Sequence, residues 1–436
     1  MKHRKEDTPF WEAIKRGKVF KLKQLIALGE DVNQVNAVGE SAIQRAVDYD
    51  KLAIVEVLIN NGATIPNVDI EGNSILHLYV AHRGRYFKGF KRLMSLMAIE
   101  LNEVLNKVNN KNETILCRAL KHDNIKIAKK LIKAGALFDI SDDEGNSSLH
   151  LVVVSNGRGR MALMEMLIGL GIDVNLQNES GDTPLNYTLQ GRGNNISIGM
   201  LKKLLSFKTD INLPNKKLKY PLHFAVLRKA SEYVRELIYH GGMVDSVDLE
   251  GNTPLHKALE NKESCNIDII RALLQHGANP NLENEFVGSA LYCAIPDSWG
   301  CKKNIPNLID IIKLLIEHHA SINFKTKSNG TGLLYKAVSM SSGSNEPDAL
   351  TMEIFNVLLA ADIDLNIQDN YGHTALHAVI INNRLEVAKI LVFKGIDVNL
   401  GDPLSCAEKM YRNEMVNLLK QHGAKNKQNL SECNLM

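Results

Sequence analysis

The chain has 436 residues, 44% apolar and 23% charged, proportions ordinary for a folded protein. Lys and Arg outnumber Asp and Glu only by 52 to 49, so the net balance does not demand a nucleic-acid partner. No apolar h-region follows Met1 to Asp7, and no stretch approaches the ~20 uninterrupted apolar residues of a membrane span, so neither a secretory leader nor membrane insertion is expected.

The six cysteines are scattered, and the nearest pair, Cys293 and Cys301, has no His in a ligand register. Reduced thiols in a cytosolic or nuclear protein are expected, with no metal and no cofactor.

In chain order, one short apolar motif recurs. Its marker residue falls at Phe10, Ile43, Leu76, Leu116, Leu149, Leu185, Leu222, Leu255, Leu291, Leu334, Leu376 and Leu404. Each marker predicts a short first helix, followed by a second helix with an apolar pair such as Leu167-Ile168 or Leu273-Leu274. Glycines at 29, 62, 135, 171, 241, 277, 395 and 423 lie where a second helix must end in a left-handed residue. Units three, six, nine and ten lack that glycine, and Lys208, His319 and Asp362 stand in its place in the last three. Looser helix ends are expected there.

The longer spacings predict insertions between the two helices of a unit. Ala81 to Arg92 holds five positive residues and no acid. Ser155 to Arg160 and Gln190 to Asn195 pair Arg with Gly, and Asp297 to Pro306 and Ser339 to Asp348 complete the set.

The clearest units carry Asp248-Leu-Glu-Gly-Asn-Thr-Pro-Leu-His256 before Leu273-Leu-Gln-His-Gly-Ala278, and Asp369-Asn-Tyr-Gly-His-Thr-Ala-Leu-His377 before Val387 to Gly395. Both resemble the ankyrin signature T-P-L-H-x-A with its downstream L-L-x-x-G-A. The resemblance implies an all-α repeat solenoid of about twelve helix-turn-helix units joined by β-hairpin loops. It spans residues 1–424, with a short polar tail at 425–436. It also implies that His77, His150, His223, His256 and His377 hydrogen-bond between adjacent repeats. Asn33, Asn175 and Asn399 fit the context of asparagines hydroxylated in some members.

In such a stack equivalent positions line up along an edge. Arg83, Arg85, Arg158, Arg160 and Arg192 would then form a basic ridge, joined by Arg16, Lys121 and Arg228. The opposite edge, the hairpin tips, would offer partner contacts at Asp69, Glu71, Asp142, Asp143, Glu144, Lys216, Lys217, Asp248, Glu250, Glu283, Phe286 and Tyr371. Tyr86, Phe87, Phe90 and Trp299 are further aromatics expected in loops. No GxSxG, HExxH, GxxxxGK[ST] or CxxC occurs, so no catalytic role is expected.

The expected function is a protein–protein scaffold, adaptor or competitive inhibitor, binding through hairpin tips and the concave face of first helices. It would be monomeric, and cytoplasmic, nuclear or delivered into a host cell. The alternative is nucleic-acid or phosphate-ligand binding along the Arg-Gly ridge.

Overall fold

The computed structural model describes residues 8–64, 68–69, 71–81, 87–96, 105–191, 198–260, 265–285, 288–296, 307–339 and 349–425. Among them 24 helices succeed one another as twelve pairs. All twelve marker residues, Phe10 to Leu404, are at most 2% exposed. Two compact units share the pairs equally, Met1–Lys216 and Lys217–Met436. No described helix is long and apolar enough to cross a membrane.

First helices are short and sheathed. In Pro184–Leu189 the Thr183 hydroxyl accepts the Asn186 N–H at 3.2 Å, Pro184 takes the N1 position, and all six residues are buried. Six residues cannot sustain a helix alone, so packing between neighbours holds it. Second helices are one-sided. In Ile125–Lys133 the apolar residues Ile125, Ile127, Ala128, Leu131 and Ile132 face inward, and Lys126 and Lys133 lie fully on the solvent side.

All eight expected glycines have left-handed backbones, with φ between 83° and 99°. The looser ends expected where glycine is missing are not found at His319 and Asp362. These residues adopt the same conformation, with φ of 64° and 56°. The Ala320 N–H still reaches the Leu315 carbonyl at 2.9 Å. At Lys208 the following Thr209 closes the helix, its hydroxyl donating to the Leu204 carbonyl at 2.7 Å. A side chain in the left-handed region costs about 1–2 kcal/mol, and glycine gives part of this back through its freer unfolded state. His319→Gly should therefore raise stability by about 1 kcal/mol, read as a higher denaturant midpoint at unchanged slope.

Insertions do fall between paired helices, with one correction. The third second helix is Phe87–Leu96, so the span expected as a loop up to Arg92 is largely helical. Phe90 is fully buried there against Tyr79, with ring centroids 5.9 Å apart, and is no loop anchor. Arg92 pairs with Glu56 of the preceding second helix.

A second tie between repeats runs through asparagines. After seven of the second helices a backbone N–H donates to an Asn side-chain oxygen of the repeat before. After Ile267–Gln275 the Asn279 N–H donates to Asp245 instead, at 2.9 Å. Thr64 donates to Asn33, Leu137 to Asn106, Asp210 to Asn175, Ser321 to Asn281, Asp364 to Asn323 and Asp397 to Asn366, all at 2.6–2.9 Å. In the last repeat Lys425 donates to Asn399 at 2.8 Å. Where the amide also donates forward, as from Asn175 to the Lys208 carbonyl at 3.1 Å, the strap is two-sided.

Candidate functional site: the hairpin row

Between one repeat's second helix and the next repeat's first helix the chain makes a narrow hairpin. Three share the sequence Asp-x-Glu-Gly-Asn and one geometry. In the hairpin at 248–252, the Asp248 carboxylate accepts the N–H groups of Glu250 and Asn252, both at 2.9 Å. The Asn252 side chain donates to Glu250 at 2.9 Å, and the Gly251 N–H closes the turn on the Asp248 carbonyl at 2.9 Å. Asp142 to Asn146 repeats these bonds, as do the described residues of Asp69 to Asn73. An Asx-type turn of this kind fixes the tip before any partner arrives.

The tips are cross-linked. In the N-terminal unit the backbone N–H of Asn110 donates to the Glu71 carbonyl at 2.9 Å, Glu179 to Glu144 and Lys216 to Ser180, both at 3.1 Å. In the C-terminal unit Leu249 donates to Lys217 and Glu285 to Glu250, both at 3.3 Å, and Asn370 to Asn329 at 2.9 Å. Buried amides add inner rungs, Asn109 to Asn73, Asn178 to Asn146 and Asn284 to Asn252, at 2.7–2.9 Å. Regular strand pairing is minimal: among the described residues there are isolated antiparallel bridges, Val35 with Ser41, Val108 with Thr114 and Lys325 with Gly332.

The motif histidines sit directly beneath. His77, His150, His223, His256 and His377 are buried. Each accepts its helix-capping N–H on Nδ1 at 3.0–3.2 Å. Each donates from Nε2 to a carbonyl of the next repeat at 2.9–3.0 Å, on Glu113, Asp182, Asn252, Gly288 and Gly401 respectively. Both nitrogens being engaged this way requires the neutral ring. Burial pushes all five rings below the usual histidine range, against the opposing pull of the carbonyl bond, and takes His77 down to about 4. These are the inter-repeat bonds that the resemblance implied.

Several expected contact residues face inward. Asp142 and Asp248 are buried. Lys121 Nζ meets Asp142 at 2.9 Å, Glu113 at 2.9 Å and Asp143 at 3.6 Å. Lys257 gathers Asp248, Glu250 and Glu260 at 3.3–3.4 Å. Burial works to raise the Asp248 carboxyl, but the Asn252 N–H, Lys257 and the Glu250 N–H outweigh it and hold it below the carboxylate range. Asp69 is half-buried, and Glu71, Asp143, Glu144, Lys216, Lys217, Glu250 and Glu283 are exposed. Glu283 meets Lys327 of the next hairpin at 2.9 Å. Tyr371 stands clear at 77% exposure. Phe286 lies outside the described residues.

The basic ridge is thinner than its sequence suggests. Arg83, Arg85 and Arg192 lie outside the described residues, as do Tyr86 and Trp299. Arg158 is exposed, and Arg160 turns its guanidinium onto the Ser155 carbonyl of its own loop. The three residues expected to extend the ridge are engaged: Arg16 by Glu12, Lys121 by its carboxylates, and Arg228 over the Tyr233 ring at 5.0 Å. The candidate hydroxylation sites Asn33, Asn175 and Asn399 all belong to the strap between repeats, each accepting a backbone N–H at 2.8 Å.

Charge-based reading passed over the aliphatic residues of the row. Val35, Val38, Val68 and Val108 in the N-terminal unit are exposed. So are Leu218, Val247 and Leu249 in the C-terminal unit, Leu249 at 58%. Val35, Val68, Val108 and Val247 each directly precede the Asp or Asn that opens the hairpin turn. That recurrent Val-Asp/Asn pair was the available signal.

Comparison with known proteins agrees with this geometry. A family model described as ankyrin repeats matches three times, at residues 192–284, 300–402 and 348–429, which together cover just over half of the chain. The chain belongs to the ankyrin-repeat family. Ankyrin repeats generally mediate protein–protein interaction. Among curated relatives, a putative ankyrin repeat protein of Acanthamoeba polyphaga mimivirus is 27% identical over 80% of this chain and 42% of its own length. The NF-kappa-B p105 subunit of Gallus gallus is 27% identical over 50% of this chain and 21% of its own. The phosphocholine transferase AnkX of Legionella pneumophila is 22% identical over 92% of this chain and 36% of its own. The ankyrin chain thus spans less than half the length of each of these relatives.

Proposed function

We propose that the chain works by occupancy, as a scaffold, adaptor or competitive inhibitor that binds protein partners along its hairpin row and first-helix face. The supporting observation is a set of exposed aliphatic side chains at equivalent positions of tips already locked by Asp, Asn and backbone bonds. Exposed apolar groups on a rigid support gain contact energy without the entropy loss of ordering a loop. The outward carboxylates around them would set orientation more than affinity. Binding, with no reaction of its own, is the role this surface supports.

The test is affinity capture from a cell lysate with the whole chain and three variants. Two carry serine at Val35, Val38 and Val68, or at Leu218, Val247 and Leu249; the third carries it at Arg158 and Arg160. The Val and Leu positions and Arg158 are exposed, so unchanged melting curves are expected for the two hairpin variants. Loss of the half-buried Arg160 and its bond to the Ser155 carbonyl should lower the midpoint of the third slightly. Loss of the captured proteins in either hairpin variant, with full retention in the Arg variant, is the expected pattern. The reverse pattern would return the working surface to the Arg-Gly ridge.

A further inference from the structure

The outer faces of the second helices differ in charge between the two units. In Met1–Lys216 the second helices pack in one continuous row: Val19–Ala27, Leu52–Asn60, Phe87–Leu96, Ile125–Lys133 and Arg160–Gly169. Ile198–Leu205 joins it through an ion pair of Lys203 with Glu165 at 2.6 Å. Among their described side chains are eleven Lys or Arg and only two acids, Glu56 and Glu165. Both acids are already neutralised within the row, by Arg92 and Lys203. The six second helices of Lys217–Met436 carry five basic residues against eight acidic ones. Stacking alone does not require this asymmetry, since the same helix role is filled with opposite charge.

The basic row is made of point charges. Lys126, Lys129, Lys130 and Lys133 crowd one helix that has no acid at all. Its described arginines are Arg92, paired with Glu56 at the surface, and Arg160, bonded to the Ser155 carbonyl of its own loop. Among the described residues the row therefore offers no unengaged guanidinium fork and a single exposed aromatic, Phe20, short of the series of rings on which nucleic-acid bases stack. Phe20, 75% exposed, shares the first of these helices with Lys21 and Lys23, and Leu28, 83% exposed, caps its C-terminal end. Leu170, at the end of Arg160–Gly169, is exposed as well. Lysines interspersed with exposed large apolar side chains fit an anionic headgroup layer, the lysines meeting phosphate and carboxylate while the apolar groups enter the acyl boundary.

We infer that the second-helix face of the N-terminal unit docks peripherally on an anionic lipid surface. This face shares no residue with the hairpin row, so a membrane-bound chain keeps its protein-binding edge.

Vesicle sedimentation with the full chain tests it, using phosphatidylcholine alone and phosphatidylcholine with about 30% phosphatidylserine, at low and high salt. Binding to the serine-containing vesicles only, weakened by salt, is expected. Reversing Lys126, Lys129, Lys130 and Lys133 to Glu should weaken it more than tenfold, and Phe20→Ser with Leu28→Ser severalfold. Unchanged melting curves would show that both variants remain folded. Reversal of Arg235 and Arg271 in the C-terminal unit should change nothing. Failure to bind anionic vesicles at low salt overturns the inference, as does binding that survives the four lysine reversals. Preferential capture of duplex DNA in a mixed assay also overturns it. None of these outcomes touches the hairpin-row reading, which rests on Val and Leu variants alone.

Discussion

Acidification from pH 7 to about 4 should destabilise the chain steeply, with His77 alone contributing about 3 kcal/mol to the loss. The sign follows from where the proton binds. In the unfolded chain His77 titrates at its ordinary value of 6.5, whereas in the fold burial lowers it to about 4. Between those values the unfolded state holds the extra proton, so stability is complete above 6.5 and drains away as pH falls toward 4. His150, His223, His256 and His377 are shifted in the same direction by the same cause and add to the slope. Protonation also removes the Nδ1 acceptor from the helix cap, so each event breaks a buried bond as well as burying a charge. Denaturant midpoints at pH 7, 6, 5 and 4 measure the effect. His77→Gln should begin less stable at pH 7 but lose less between 7 and 4. A pH slope identical to the unsubstituted chain would show that His77 is not among the groups responsible.

Gly145→Ala should cost about 3 kcal/mol, roughly twice the cost of Gly135→Ala. Both glycines are left-handed, with φ of 74° and 95°, so both substitutions incur the backbone penalty. They differ in their surroundings. A Cβ on Gly135 meets nothing within 4 Å, while one on Gly145 falls 2.7 Å from the backbone nitrogen of Glu179. That nitrogen donates to the Glu144 carbonyl, so the added methyl would push apart two cross-linked tips. Equal midpoints for the two variants would mean that the tips separate freely and that the row is less rigid than its bonds imply.

The fold was legible because its signals are local. An apolar residue at each marker, a Pro at the first helical position of several repeats, and a Gly where most second helices turn left-handed each act within one repeat. The site was legible only in part, because exposure depends on neighbours. Asp142 and Asp143 are adjacent in sequence, yet one is buried beside Lys121 and the other open. Lys121 reads as a ridge residue until the next repeat's carboxylates close on it. The straps at Asn106, Asn281, Asn323 and Asn366 went unnoticed because a single amide has no pattern of its own. It becomes meaningful only beside the backbone of the following repeat. His319 and Asp362 misled for the opposite reason: the helix-end bonding outweighed a modest side-chain penalty.

The bonds between successive hairpins have a mechanical corollary. Within each unit the bonds described join one repeat to the next in line, through a tip, a histidine or a strap. Tension applied along the stack would load these junctions in series, so the weakest opens first and the rest hold. Peeling one repeat of about 33 residues frees on the order of 110 Å of extended chain. A pulled unit should therefore lengthen in discrete steps of about that size, refolding stepwise on relaxation from whichever repeats remain as a template.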